Sequence, residues 1–94
     1  MTDASRPVLT VYRREGCHLC DEARDILQAL LEERARHGEP TPRVREVDID
    51  SDPALHDRYF VRIPVFAVGE HEMDLVTSVR QARLFLDRTL PQLV

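Results

Sequence analysis

The sequence predicts a single α/β domain in which a mixed, four-stranded sheet is flanked by three helices. Short β-rich runs alternate with longer segments whose apolar residues recur every three or four positions. A strand, a helix and a second strand come first, which implies a right-handed crossover between two parallel strands. A turn at Gly69-Glu70 then joins two further short runs into a hairpin. The predicted order is therefore β-α-β-α-β-β-α.

The totals favour one small globular unit. With 94 residues, we expect residues 1–94 to form one domain with a loose N-terminus at 1–6. The net charge of −4 disfavours a general surface for nucleic acid or for an anionic membrane. No apolar run approaches the roughly 20 residues that span a bilayer, so we expect a cytoplasmic protein.

The first half of the chain contains a strand and a long helix. The run at 8–12 is rich in β-forming residues and is broken by Gly16. Residues 17–36 are predicted to be helical, with Gly38 as the stop. One apolar face is formed by Ala23, Ile26, Leu27, Leu30 and Leu31.

The second half begins with a polar–apolar alternation at 43–49 that predicts a second strand. Asp52 is a helix cap and Pro53 suits a first helical position, so a short helix is predicted from Pro53 to about Tyr59. A third strand is predicted at 63–68.

A short fourth strand is predicted at 72–76. Ser78 and Gln81 match a capping box, in which the two side chains satisfy free amides at a helix start. The last helix is then predicted from Val79 to Leu90, with Pro91 ending it. Its predicted inward positions are Val79, Ala82, Leu86 and Leu90.

The two cysteines form the segment Cys17-His18-Leu19-Cys20, between the first strand and the first helix. Free amides at a helix start carry partial positive charge and stabilise a thiolate, which is the reactive form of cysteine. Cys20 lies one helical turn further on the same side, so its sulfur can approach that of Cys17. This geometry suits a reversible disulfide, while a metal site and an inert pair remain as alternatives.

Pro64 is the second notable residue, because it lies between β-branched Ile63 and Val65 at the start of a strand. A cis Ile63–Pro64 bond is one option, since cis peptides are largely confined to proline. Composition alone leaves cis and trans open. Tyr12 and Phe66 are expected in the core, whereas Tyr59 and Phe60 could line a groove or pack inside.

These segments resemble the thioredoxin-fold superfamily, and within it the small bacterial glutaredoxin-like proteins. The resemblance spans Val8 to about Leu90. It rests on the segments VLTVYRREGCHLCDEA, REVDIDSDPAL and RIPVFAV and on the order of the elements.

The resemblance implies a role for each matching residue. Cys17 would be the exposed nucleophile, Cys20 the buried resolving thiol, and Pro64 a cis proline packed against the pair. The backbone of Ile63 would pair with substrate like an added strand. Arg14 would face a glutathione carboxylate. An ordinary solvated surface arginine is the competing interpretation of Arg14.

The sequence departs from glutaredoxins in two places. Glutaredoxins usually follow their last strand with Gly-Gly and an acidic pair that hold glutathione, whereas this chain has MDLVTSVRQ. Ser78 and the amides after it could still receive a carboxylate. His18 and Leu19, between the cysteines, also differ from the usual pairs. We include both among the expected substrate contacts, with His18 as a plain solvent-facing spacer the competing interpretation.

The predicted function is thiol–disulfide exchange, with a disulfide-containing protein or a glutathione mixed disulfide as substrate. We expect a monomer with no metal and no bound cofactor, recycled by glutathione or by a flavin-dependent reductase. A non-catalytic binding module or an iron–sulfur cluster carrier is the alternative. An electron donor for an enzyme such as ribonucleotide reductase would share the chemistry and differ only in its partner.

Overall fold

The structure is a computed structural model and describes residues 6–90. Its elements are β1 (Val8–Arg13), α1 (His18–Arg36), β2 (Arg43–Asp48), a 3₁₀ turn (Ile49–Ser51), α2 (Pro53–Tyr59), β3 (Val65–Val68), β4 (His71–Met73) and α3 (Val79–Thr89). The predicted order of strands and helices is confirmed.

The four strands form one sheet in the order β2-β1-β3-β4. β1 and β2 are parallel, with Val8 opposite Arg43, while β3 is antiparallel to both β1 and β4. The predicted α/β class, with its mixed sheet and thioredoxin-like order, is therefore confirmed. β2 is an edge strand, and the side chains of residues 43–46 are exposed along it.

The main core lies between one face of the sheet and the helices α1 and α3. Phe66 of β3 meets Phe85 of α3 edge-on, with ring centroids 6.1 Å apart. Burial of this apolar surface is the chief stabilising contribution to the fold. The buried members are Leu9, Val11, Ala23, Leu27, Leu30, Phe66, Val68, Val76, Ala82, Phe85, Leu86 and Leu90.

A smaller core covers the other face of the sheet under α2. It contains Ile49, Tyr59 and Val65, all nearly inaccessible to solvent. The ring of Tyr12 stacks on that of Tyr59 with centroids 4.1 Å apart. Core packing is thus the correct interpretation of Tyr59, whereas Phe60 is half exposed.

Local signals set the ends of α1 and α2 as predicted. The buried face of α1 follows the predicted apolar stripe, with Ile26 and Leu31 partly buried at its margin. Past the end of α1, Gly38 has a φ of +71°, which glycine adopts without steric cost. Asp52 caps α2 by accepting the Ala54 N–H at 2.9 Å.

Five strand boundaries differ from the predictions. β1 ends at Arg13 and β4 begins at His71, each one residue from the predicted position. β3 begins at Val65, because Pro64 has no N–H to donate to a ladder. β4 ends at Met73, because Leu75 has a φ of +50°, which an extended strand excludes. β2 ends at Asp48, since Ile49 already belongs to the 3₁₀ turn.

The packing prediction for Val79 is wrong. Val79 is the first residue of α3 and is 48% exposed, on an outer surface shared with Arg83 and Leu84. The buried residues of α3 are instead Ala82, Phe85 and Leu86, and no neighbouring element of the described chain covers Val79. Phe85 is buried, although it is not among the predicted inward positions.

Some expectations fall outside the described residues. These are residues 1–5 of the predicted loose terminus and the stop at Pro91. Arg6 is described, and its side chain donates hydrogen bonds to the backbone oxygens of Thr41 and Pro42. Within residues 6–90, no helix combines the length and the apolarity needed to cross a membrane.

Candidate active site

Cys17 occupies the N-cap position of α1. Its backbone is extended, with φ −87° and ψ 105°, and its Sγ accepts the N–H of Cys20 at 3.1 Å. The turn that leads into it closes through the Cys17 N–H donating to the Arg14 oxygen at 3.2 Å. Gly16 supplies the positive φ, +77°, that this turn requires. The sulfur therefore lies among the unpaired amides of a helix start.

Cys17 and Cys20 are joined by a disulfide, with their Cα atoms 5.2 Å apart. Cys20 is only 1% exposed, whereas Cys17 is partly buried. A thiolate from outside therefore reaches Cys17 first. The two sulfurs differ in accessibility in the sense that the resemblance implies.

The segment before β3 contains a cis Ile63–Pro64 bond. Both preceding amides, those of Arg62 and Ile63, donate to the Tyr59 oxygen at the end of α2. The Pro64 oxygen accepts the Val76 N–H at 3.0 Å. Pro64 itself is fully buried.

Strand pairing places the Pro64 segment and the cysteine turn at the same end of the sheet. Tyr12 of β1 lies opposite Val65 of β3. Because the strands are antiparallel, the chain leaving β1 toward Cys17 passes the chain that enters β3 from Pro64. The topology thus brings the cysteine turn and the Pro64 segment together, although Cys17 and Pro64 are 47 positions apart in the sequence.

Arg14 lies beside the turn, but it is paired within the chain. Its Nε donates to Asp50 Oδ2 at 2.9 Å, and both side chains are roughly half exposed. The Nε2 of His56 lies 3.9 Å from the same carboxylate. Nothing in the local sequence predicts this pairing of Arg14 with Asp50.

The remaining predicted contacts occupy different positions. His18 and Leu19 are exposed in the first turn of α1, with Leu19 at 46%. Ser78 caps α3: its Oγ accepts the Gln81 N–H at 3.1 Å, and Gln81 Oε1 accepts the Thr77 N–H at 2.9 Å. The Ser78 half of the predicted capping box is therefore formed, whereas the Gln81 side chain accepts the amide of Thr77 and not that of Ser78.

A hydrogen-bonded network that the sequence reading missed ties α2 to β4. The Tyr59 hydroxyl donates to Glu72 Oε2 at 2.6 Å, and Arg62 donates to the other oxygen of Glu72 at 2.6 Å. Arg62 also donates twice to Asp74, at 2.8 and 2.9 Å. Because Arg62 directly precedes Ile63-Pro64, the network anchors the segment that carries the cis proline.

This network shifts the ionisation of its members. The hydrogen bond from Tyr59, followed by that from Arg62, lowers the pKa of Glu72. Burial, followed by the bond to Glu72, raises the pKa of the Tyr59 phenol. Hydrogen bonds to Asp74 and Glu72 raise the pKa of Arg62. At neutral pH the network therefore contains a neutral Tyr59 phenol, a charged Glu72 and a charged Arg62.

Exposed apolar side chains flank the Pro64 segment. Phe60 is 50% exposed, Val61 68% and Leu75 49%. The Leu75 N–H donates to the Arg62 oxygen at 2.9 Å, which holds the loop after β4 against this segment. The site is thus bordered by apolar surface on its proline side.

Two other kinds of site are less well supported. A cleft of about 420 Å³ between α1 and β2 is lined by Leu27, Leu31 and Val44 among others, and by none of the predicted site residues. Among residues 6–90, no group of three or more His, Cys, Asp or Glu side chains is placed to hold a metal ion. The cysteine turn and the Pro64 segment therefore form the best candidate site.

This chain is similar to a described protein family and to solved structures. A family model described as a glutaredoxin-like domain (DUF836) matches residues 8–88. The X-ray structure of Northeast Structural Genomics target protein XcR50 from X. campestris is 34% identical, with a TM-score of 0.64, and the match covers 85% of this chain and 96% of that one. The solution structure of the same target is 35% identical, with a TM-score of 0.61. That match covers 90% of this chain and 97% of that one.

A more distant match concerns the fold alone. A structure titled as that of a malarial protein is 13% identical, with a TM-score of 0.63, over 93% of this chain and 100% of that one. Among proteins with curated descriptions, none matches this chain.

Proposed function

This chain belongs to the glutaredoxin-like domain family, and from that premise we propose that it is a thiol–disulfide oxidoreductase with Cys17 as nucleophile and Cys20 as resolving thiol. One observation carries the proposal. The sulfur at the helix start, Cys17 Sγ, accepts an amide N–H and is the more accessible of the pair, while Cys20 is 1% exposed. The amide stabilises negative charge on the sulfur that must attack as a thiolate.

In the reducing direction, the Cys17 thiolate attacks one sulfur of a substrate disulfide. A mixed disulfide forms, and the first substrate thiolate leaves. Cys20, after losing its proton, attacks Cys17 Sγ and releases the second substrate thiolate. Two electrons pass to the substrate, and the Cys17–Cys20 disulfide seen in the structure is the oxidised product.

Substrate placement is proposed to use the Pro64 segment. The Ile63 N–H is donated to Tyr59, so the backbone of Ile63 would pair with an extended substrate chain through its carbonyl oxygen. The exposed Leu19 and Leu75 would contact the substrate's side chains. A disulfide-containing protein is the proposed partner. Glutathione or a flavin-dependent reductase is the proposed reductant.

Two matched substitutions test the proposal. The reduced Cys17→Ser and Cys20→Ser variants are each mixed with a protein disulfide such as insulin, quenched in acid, alkylated and weighed by mass spectrometry. We expect Cys20→Ser to accumulate a mixed disulfide that wild type resolves, and Cys17→Ser to form none. Unchanged insulin reduction by Cys17→Ser would refute the assignment of the nucleophile.

Anaerobic purification tests the alternative functions in parallel. A coloured dimer whose colour needs Cys17 would favour an iron–sulfur cluster carrier. A colourless protein that binds partners but reduces no disulfide would favour a non-catalytic binding module. A colourless protein with one fast-reacting thiol supports the oxidoreductase.

A further inference from the structure

Carboxylates outnumber cations around the cysteine turn. Two segments surround the turn: residues 13–24, which include the first helical turns, and residues 46–50 at the carboxyl end of β2. Together they carry three arginines and six carboxylates. These two segments are neighbours, because Arg13 of β1 lies opposite Asp48 of β2. The local charge is therefore negative, although the helix start itself favours anions.

Each of the three arginines is already paired with one of these carboxylates. Arg14 bonds to Asp50 at 2.9 Å, and Arg13 lies 3.6 Å from Glu46. Arg24 lies 3.5 Å from Glu46, on the same carboxylate oxygen. A substrate carboxylate that approached Arg14 would have to compete with Asp50.

Two further carboxylates add unbalanced charge. Glu15 and Glu22 are exposed, and neither forms an ion pair with any of residues 6–90. Asp21 lies in the first turn of α1, 3.7 Å from Arg24. These groups face solvent, so they act on an approaching molecule through water over several ångströms.

The arginine next to the cis proline is also paired with carboxylates. Arg62 is the charged residue next to Ile63-Pro64, and it is held by Glu72 and Asp74. The side chains exposed around it are apolar, as in Val61 and Leu75. The arginines that directly flank the cysteine turn and the Ile63-Pro64 bond, Arg14 and Arg62, are therefore both engaged by carboxylates.

We infer that the Cys17 site selects disulfides by charge, favouring neutral or basic disulfides over anionic ones, and that Asp50 sets this preference by engaging Arg14. The inference rests on the proposed function and deepens it. Glutathione carries two carboxylates and one amine, so its disulfide belongs to the disfavoured class. The favoured class is a disulfide within a neutral or basic protein segment.

The expected size of the effect follows from Coulomb's law. A local charge of about −2 to −3, acting across about 10 Å of water, should raise the reaction rate of a singly cationic disulfide group severalfold and lower that of a singly anionic one severalfold. Cationic and anionic probes should therefore differ by about tenfold at 0.01 M salt, where the screening length is about 30 Å. The ratio should shrink to about twofold at 0.5 M salt.

The experiment uses three small disulfides of different charge: cystamine, which is cationic, hydroxyethyl disulfide, which is neutral, and dithiodipropionate, which is anionic. The reduced protein is mixed with each at pH 7.5, quenched and alkylated, and oxidation of the Cys17–Cys20 pair is followed by mass spectrometry. Each rate is divided by that of dithiothreitol with the same probe, which removes differences between leaving groups.

Two variants with the same charge change sharpen the test. Asp50→Asn should raise the relative rate with dithiodipropionate about twofold at low salt, because it removes one negative charge and releases Arg14. Glu70→Gln, in the β3–β4 turn at the far end of the sheet, should leave the ratios unchanged. The double variant Asp50→Asn, Arg14→Gln should lose this increase and return to the wild-type relative rate with dithiodipropionate.

The outcomes separate this inference from the function beneath it. If none of the three probes oxidises the cysteine pair, the oxidoreductase proposal fails and this inference fails with it. If all three react and the relative rates are independent of charge and salt, only the charge selectivity is overturned. A faster relative rate for the anionic probe in wild type would also overturn it.

Discussion

Tyr59→Phe is the change that best tests the network beneath the Pro64 segment. Tyr59 is 2% exposed, and its hydroxyl donates to Glu72 at 2.6 Å. Hydrogen bonds to charged groups contribute about 1.5–3 kcal/mol to stability. We therefore expect the variant to lose about 2 kcal/mol of unfolding free energy at pH 7. In a domain of this size that lowers the melting temperature by about 8–16 °C.

The loss should depend on pH in a defined direction. The bond from Tyr59 holds the pKa of Glu72 below its ordinary value of 4.5. A group whose pKa is lower in the folded state contributes stability that is complete above its unfolded pKa and disappears as the pH falls through its folded pKa. Below pH 4.5 the gap between wild type and variant should narrow toward about 1 kcal/mol, the value of a neutral hydrogen bond.

Urea unfolding followed by circular dichroism measures both effects, since the chain has no tryptophan. The Tyr59 hydroxyl also interacts with Tyr12, so Tyr59→Phe is repeated in a Glu72→Gln background to isolate the charged bond. In that background we expect a smaller loss that does not vary with pH. A loss that stays the same between pH 7 and pH 3 in the wild-type background would refute the reasoning.

Further predictions concern the core and the last helix. Phe66→Ala should lower the free energy of unfolding in urea by about 3–5 kcal/mol, because it leaves a cavity at a fully buried position. The exposed control, Val61→Ala, should change it by less than about 0.5 kcal/mol. Similar losses for both variants would contradict the packing described. Ser78→Ala should cost about 1 kcal/mol in the same measurement by removing the α3 cap, while Ser78→Gly should cost only a few tenths; equal losses would argue against a capping role.

Local sequence signals predicted the parts of the fold that local physics determines. The apolar stripe of α1, its stop at Gly38 and the Asp52 cap of α2 each depend on residues within a few positions of one another. The cysteine turn was found for the same reason: Cys17 and Cys20 are one helical turn apart. The position of this pair between β1 and α1 then indicated thiol–disulfide exchange.

The predictions that failed, and the contacts that were missed, depend on distant parts of the chain. Tyr59 and Glu72 are 13 positions apart and meet only because α2 packs beside β4. Arg14 meets Asp50 because β1 and β2 run parallel, so that the turns after them lie side by side. Val79 fits the helical period of α3, and only the extent of the core determines that it remains exposed.

The open edge of β2 has a consequence for how two copies of this chain can meet. Two identical strands that pair antiparallel about a two-fold axis must place some residue directly opposite its own copy. Centred on Arg45 or on Glu46, such pairing sets a side chain against an identical charge. If the pairing is centred on Val44, Arg43 lies opposite Arg45 of the other copy, and if it is centred on Val47, Glu46 lies opposite Asp48. Every symmetric register along the strand therefore opposes like charges, which protects the exposed edge from joining a second sheet of its own kind.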